Sequence, residues 1–289
     1  MRRCRGAVNV VWDHRGPLAG IGRRRPGERL IGCAVVDDEP TASAATVYRL
    51  TLRYDGRAYH GWQRHQGKPT VQGALETAVE EIVGARCAVH GSGRTDRGAH
   101  ADGQVAHFVA PYSSPAEELR QDFARVLPAD IEVLECEQAP DGFHAREGAV
   151  AKTYRFEIWN EPKCPAERVG RVWHVTSPLD VEAMRQACPV LVGRHDFASF
   201  AKKTNYDRKS TERNLMSVDL EAEGPHIVFR FRADGFLYKM VRNLVRAVVK
   251  VGEGRSTPAK LQEILQARDR KRAPGTAPAS GLYLESVEY

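Results

Sequence analysis

Hydrophobic and polar residues alternate sharply over residues 47–54, VYRLTLRY. Tyr48, Leu50, Leu52 and Tyr54 fall on one side and Arg49, Thr51 and Arg53 on the other. A period of two that stops at Asp55-Gly56 predicts a half-buried strand. The spacing then changes. In TVQGALETAVEEIVG, residues 70–84, Leu75, Ala78, Val79 and Ile82 share one helical face, with Thr70 as N-cap and Gly84 near the stop. GQVAHFVA, 103–110, predicts a second strand. SSPAEELRQDFARVL, 113–127, predicts a second helix opened by a Ser114–Glu117 capping box, with Pro115 at its first position.

After the turn-rich QAPDGFHAREGA the scheme restarts. AKTYRFEIWN, 151–160, puts Tyr154, Phe156 and Ile158 on one face, and a helix runs through VEAMRQACPVLVG, 181–193. LMSVDLEAEGPHIVFRFRADG, 215–235, reads as a hairpin turning at Glu223 to His226. The most periodic stretch is FLYKMVRNLVRAVVKVG, 236–252. Leu237, Met240, Val241, Leu244, Val245 and Val248 form an apolar stripe, and Lys239, Arg242, Arg246 and Lys250 share another side. A last helix starts at Thr257-Pro258, and GLYLESVEY closes as a strand. Strands and helices in two similar runs imply an α+β fold. The expectation is two domains, 47–143 and 149–289, each with a mainly antiparallel sheet flanked by helices.

Composition narrows the picture. The best apolar run, Leu244 to Val251, is cut by Arg246 and Lys250, far short of the roughly 20 residues a membrane span needs. Six cysteines lie far apart without CxxC spacing, so reduced thiols are expected rather than a zinc site or a disulfide framework. The net charge of +6 and a pI of 9.0 suggest an anionic partner. Half of that excess comes from residues 1–46, with eight arginines and five acids. The segment lacks sustained periodicity, its AVNVV is too short for a signal peptide, and it is nearly devoid of serine for a transit peptide. It is expected to be a disordered extension, or a product of start-site choice.

Candidate chemistry centres on GSGRTDRGAHADG, residues 91–103, where Asp96 lies between Arg94 and Arg97. A phosphate-cradling P-loop fails because no GK[ST] follows the glycines. Asp96, His100 and Asp102 have spacing suited to metal ligands, although two flanking arginines would repel a divalent ion. A surface turn with a structural ion pair is a further reading. A reactive carboxylate is another: a nearby arginine keeps an aspartate ionised, and glycines let the backbone approach a ligand closely.

The wider sequence resembles the TruA-type tRNA pseudouridine synthases. The likeness is carried by RYDGRAYHGWQRHQGKPTVQGALE, GRTDRGAHADGQVAHF, FHAREGAVAKTYRFEIWN, HDFASF, FLYKMVRNLV and TAPASGLYLESVEY, in the family's order, covering Val47 to Tyr289. By this resemblance the chain is a cytoplasmic, cofactor-free isomerase without a metal. It would convert uridine to pseudouridine in the anticodon stem-loop of tRNA, positions 38–40, as a homodimer binding RNA in a cleft between its domains. Asp96 would be the catalytic aspartate, Arg94 the group that fills the space left by a flipped nucleotide, and Arg242 the basic partner of the carboxylate. Tyr154 would stack on the target base, and Gln63, Arg64 and Arg246 would lie near bound RNA. Arg97 departs from the family's usual alanine, and Arg246 from a common glycine. Two other classes, a metal-dependent phosphodiesterase and a catalytically silent tRNA chaperone, make opposite predictions for chelation and for Asp96→Asn.

Overall fold

A computed structural model describes residues 45–202 and 210–289. All of the expected N-terminal extension except Ala45 and Thr46 lies outside them. The alternation over 47–54 forms strand β1 (Thr46–Tyr54), with Tyr48, Leu50, Leu52 and Tyr54 buried. Helix α1 (Val71–Val83) starts where the Thr70 hydroxyl accepts from Gly73 N–H at 3.3 Å. It stops at Gly84, whose φ of 72° is left-handed. After the two-residue β2 (His90–Gly91), strand β3 runs over His100–Ala110, three residues earlier than the alternation predicted. Its first residues are held by both neighbours: Ala101 lies opposite Tyr54 of β1 and opposite Leu284.

Helix α2 (Ala116–Val126) lacks the expected capping box. Ser114 is anchored through its backbone instead. Its N–H donates to the Tyr48 hydroxyl, which donates to its carbonyl, both at 2.7 Å. Glu117 is drawn away to Arg120 at 2.7 Å. Pro115 becomes the cap, with a non-helical ψ of 126°. Strand β4 (Ile131–Gln138) follows, an element the hydrophobic pattern did not announce. A register shift between Thr51 and Leu52 throws its alternation out of phase: Ile131 and Val133 point inward, and the next apolar pair is Leu134 and Cys136.

In the second half lie β5 (Ala151–Trp159), β6 (Trp173–His174), α3 (Val181–Ala187) and β7 (Gly193–Asp196). The hairpin β8 (Glu212–Glu223) and β9 (His226–Ala233) follows, then α4 (Met240–Gly252), α5 (Pro258–Ala267) and β10 (Leu282–Glu288). Helix α3 gives way at Pro189 to a tighter turn over Cys188–Leu191, shorter than the run predicted. Helix α4 begins at Met240, because Lys239 adopts a left-handed φ of 64°. Thr257 caps α5 by accepting from Lys260 N–H at 3.2 Å.

One mixed, mostly antiparallel sheet serves both halves. Its order is β4-β1-β3-β10-β5-β9-β8-β7, with β2 added to β3 and β6 to β5. Among the described residues only β3–β10 and β5–β6 pair in parallel. The last strand therefore lies between the halves, and Ala101, Leu284, Tyr154 and Phe231 make one row across four strands. Gly103 permits this contact: a Cβ there would sit 2.4 Å from the Glu285 carbonyl oxygen. One face of the sheet packs with the helices into a continuous apolar core. The other carries a ladder of ion pairs, among them Arg155–Asp102 at 2.8 Å, Arg155–Glu157 at 2.8 Å and Arg230–Glu285 at 3.2 Å. No helix among the described residues is long and apolar enough to cross a membrane.

Candidate active site around Asp96

The segment between β2 and β3 has too many glycines and too few apolar residues to stand alone, so its shape comes from its neighbours. From behind, Gln104 of β3 clasps it: Gln104 Nε2 donates to the Gly93 carbonyl at 2.8 Å, and the Ser92 hydroxyl donates to Gln104 Oε1 at 2.8 Å. Both side chains are fully buried, where an unmet polar group would cost about 1–3 kcal/mol. From the front, Trp62 N–H donates to the Thr95 carbonyl at 3.1 Å, and Gly98 N–H to the Tyr59 carbonyl at 3.3 Å. Tyr54 and Thr95 share a buried hydroxyl hydrogen bond of 2.8 Å. Gly61 makes the close approach possible: its φ is +96°, and a Cβ would lie 2.6 Å from the Thr95 carbonyl oxygen. Trp62, buried, packs against Gly91; it is a core residue.

Held this way, Asp96 presents its carboxylate to the second half of the chain. Arg242, in the first turn of α4, donates from Nη1 to Asp96 Oδ2. The side chains are 15% and 12% exposed, a pair screened from bulk water yet not sealed. Arg242 is itself tethered. Its Nε donates to the Ala277 carbonyl at 2.7 Å, and Ala277 N–H returns to the Arg242 carbonyl at 3.2 Å. The next residue, Asn243, is buried and ties α4 to the Phe200 turn and to the 268–278 connection. It donates to the Phe200 carbonyl at 2.6 Å and accepts from Thr276 at 2.7 Å and Arg270 at 3.2 Å.

Tyr154 completes the group. It is 7% exposed, its ring meets Phe236 edge-on at 4.9 Å, and its hydroxyl lies 3.4 Å from where a Gly93 Cβ would be. Burial pushes its pKa well above the ordinary phenol value, with Tyr54 and the Asp96 charge adding to the rise. The phenol is therefore protonated at neutral pH.

Arg94 and Arg97, either side of Asp96, are exposed and have no carboxylate partner among the described residues. Most arginines among the described residues, such as Arg49, Arg64, Arg155, Arg230 and Arg232, are ion-paired instead. The other sequence candidates are engaged elsewhere. Gln63 Nε2 donates to Gln72 at 2.8 Å, and Arg64 pairs with Glu76 at 2.9 Å, both on α1. Arg246 lies over the Trp173 ring at 5.3 Å and pairs with Glu253 at 3.1 Å, which also takes Lys250 at 2.8 Å. The potential metal set does not converge. His100 is buried between the Gly56 N–H and the Gly170 carbonyl, each at 3.1 Å, and Asp102 pairs with Arg155. Among the described residues no group of three such side chains is placed to hold a metal ion.

Sequence reasoning missed Lys152. Two residues before Tyr154, its ammonium donates to the Ser92 carbonyl behind the Asp96 loop. Burial, with a smaller push from Arg146, lowers its pKa from 10.5 to about 8. Between these two values the unfolded chain holds more protons than the folded one, so this group makes stability rise with pH across that window. Melting curves of wild type and Lys152→Met should therefore diverge in wild type's favour from pH 8 to pH 10. A difference independent of pH would refute the buried-ammonium assignment.

The comparisons with known proteins bear on this geometry directly. A family profile described as tRNA pseudouridine synthase matches residues 51–146 and 187–289, the segments that carry Asp96 and Arg242. The chain belongs to the tRNA pseudouridine synthase family. Its members are isomerases that form pseudouridine in tRNA, and this chain is one of those enzymes. It is 42% identical over 246 residues to the tRNA pseudouridine synthase A of Methylacidiphilum infernorum, covering 85% of this chain and 96% of that protein. The enzyme of the same name from Bradyrhizobium diazoefficiens is 43% identical over 243 residues, covering 84% and 99%. The one from Acetivibrio thermocellus is 39% identical over 241 residues, covering 83% and 98%. Among solved structures, a dye-decolorizing protein from V. cholerae aligns over 86% of this chain and 93% of its own with a TM-score of 0.19 at 13% identity, a superposition too poor to carry any argument.

Proposed function

We propose that this tRNA pseudouridine synthase acts on uridines 38–40 in the anticodon stem-loop, with Asp96 as its catalytic carboxylate. The observation that carries the reading is the meeting of three side chains from distant parts of the chain. A carboxylate on a glycine-rich loop is paired with Arg242, and its charge acts on the buried phenol of Tyr154. In the reaction the N1–C1′ bond of uridine breaks, the uracil turns, C5 bonds to C1′, the proton on C5 is lost, and N1 takes up a proton in its place. Atoms balance without an added reagent, as the resemblance implies. Each route for the aspartate, at the sugar or at the ring, needs an ionised oxygen near the ribose. The guanidinium of Arg242, paired with Asp96 Oδ2, places a positive charge beside that oxygen.

Arg94 is proposed to enter the base stack when the nucleotide leaves it, offsetting part of an unstacking cost of a few kcal/mol. Its exposure, and its having no carboxylate partner among the described residues, support this. Tyr154 is proposed to lie against the flipped base. A protonated phenol suits stacking, since taking the C5 proton would first require it to release its own. The two halves, 47–143 and 149–289, would form the walls of the RNA cleft, in a homodimer as the resemblance implies. The first supplies Asp96 and Arg94, the second Tyr154 and Arg242.

The decisive assay incubates the enzyme with an unmodified tRNA transcript and maps pseudouridine by position. Conversion confined to 38–40 is expected. Conversion elsewhere in the tRNA would overturn the site assignment, and bound but unconverted RNA would overturn the catalytic one.

A further inference from the structure

Residues 63–69, QRHQGKP, are exposed without a break and fold back on themselves. Gly67 turns with a φ of +71°, closed by one bridge between His65 and Lys68. The turn carries Arg64, His65 and Lys68, and no acid. Two backbone hydrogen bonds join it to the catalytic loop through adjacent residues. His60 N–H donates to the Pro69 carbonyl at 2.8 Å, and the Tyr59 carbonyl accepts from Gly98 N–H at 3.3 Å. Lys68 and Arg97, each one residue before these contacts, both lie near enough to His60 for their charges to act on its imidazole. Gly61 lies against the same stretch, since a Cβ there would be 3.1 Å from Arg97 N.

What surrounds His60 is one-sided. Its Nδ1 is buried with no hydrogen-bond partner. Burial lowers the pKa of the imidazole, and Arg97, Lys68 and His65 lower it further. Arg64 in the same turn is neutralised by Glu76. Lys68 and Arg97 have no carboxylate partner among the described residues. Exposed like charges held close together repel one another, and this protein answers most of its arginines with an acid. Here, among the described residues, no acid does so, which leaves the exposed cations open to an anion from outside. The spacing along a folded-back turn and a loop suits the repeated charge of a nucleic-acid backbone better than a single carboxylate.

We propose that His60, Lys68 and Arg97 form a contact site for a phosphodiester of the RNA strand, on the side of the catalytic loop that faces residues 59–62. The inference rests on the reading of this chain as a tRNA-modifying enzyme and adds to it a phosphate site apart from Asp96, Arg94, Tyr154 and Arg242. Its place beside the loop makes it an anchor for the strand next to the extruded nucleotide. Such contacts hold position and register, and they carry no base specificity.

The test measures the dissociation constant of an unmodified tRNA transcript across a sodium chloride series. The proteins are wild type, Lys68→Ala, Arg97→Ala, the double variant and Arg97→Lys. Each neutralised cation should make the slope of log Kd against log salt shallower by about 0.7 to 0.9, and the double variant by about twice that. At low salt the double variant should bind roughly 10-fold more weakly, while Arg97→Lys should keep the wild-type slope. Unchanged slopes in both single variants would overturn the proposal. So would an Arg97→Lys slope equal to that of Arg97→Ala, which would assign the residue a structural role instead. These outcomes sink the phosphate site and leave the enzyme reading intact, because wild type would still bind and convert the transcript. Wild type that binds no tRNA at any salt would sink both.

Discussion

Asp96→Ala should lower pseudouridine formation by at least about 10⁴-fold in single-turnover assays, the scale seen when an essential nucleophile or base is removed. The argument starts from charge. Among the described residues the carboxylate is the acid paired with Arg242, and Lys239 lies close enough to feel its field. Deleting it leaves the local potential more positive, so tRNA affinity should hold or tighten while turnover vanishes. Stability should fall, because Arg242 would be left half-buried without its partner, at a cost of about 1–3 kcal/mol. A thermal melt run beside the assay separates the two effects. Asp96→Asn keeps the shape and removes only the charge, so it should be equally inactive and lose less stability. Turnover by Asp96→Asn within 10-fold of wild type, on the rate scale used above, would show that the ionised oxygen is not needed.

The second large effect is expected at Arg242, where the guanidinium holds two points at once. Nη1 serves Asp96 and Nε serves the Ala277 carbonyl. A lysine ammonium is a single point charge on a flexible stem and cannot span both. Arg242→Ala should cost on the order of 10³-fold in rate, comparable to the loss of a preorganised donor at a reacting centre. Arg242→Lys should recover part of that and remain about 10-fold or more below wild type, with its deficit in kcat. The measurement is kcat and KM for a tRNA transcript. A lysine variant indistinguishable from wild type would mean that charge alone matters and that the tether to residue 277 is incidental.

Strands and helices with clean periods were legible because one face of each is buried. Tyr48 to Tyr54, Tyr154 to Ile158 and the α4 stripe all point into one core. Legibility failed where a distant partner decided the outcome. The α2 cap was lost to the Tyr48 hydroxyl, and the alternation of β4 was scrambled by a bulge opposite Thr51 and Leu52. Nothing local marks GLYLESVEY as the strand that pairs with both β3 and β5. The site shows the same division. Asp96, Arg242 and Tyr154 were named from resemblance, since a loop aspartate alone reads equally as a turn. Gln104 and Lys152, which hold the loop from behind, look in the sequence like ordinary polar positions of alternating strands. Gln63, Arg64 and Arg246 read as free polar groups until Gln72, Glu76 and Glu253 are brought beside them.

The position of β10 also dictates a schedule. His100 and Ala101 begin a strand that pairs with Tyr283 and Leu284, so this neighbour is synthesised roughly 180 residues later. At about 5–20 residues per second, a nascent chain waits on the order of 10 to 40 s with that edge unpaired. During this interval the halves have no strand between them, and the row that carries Tyr154 cannot yet be aligned with Ala101. Alignment of Tyr154 with Ala101 through Leu284 thus has to wait until residues 282–288 have been made.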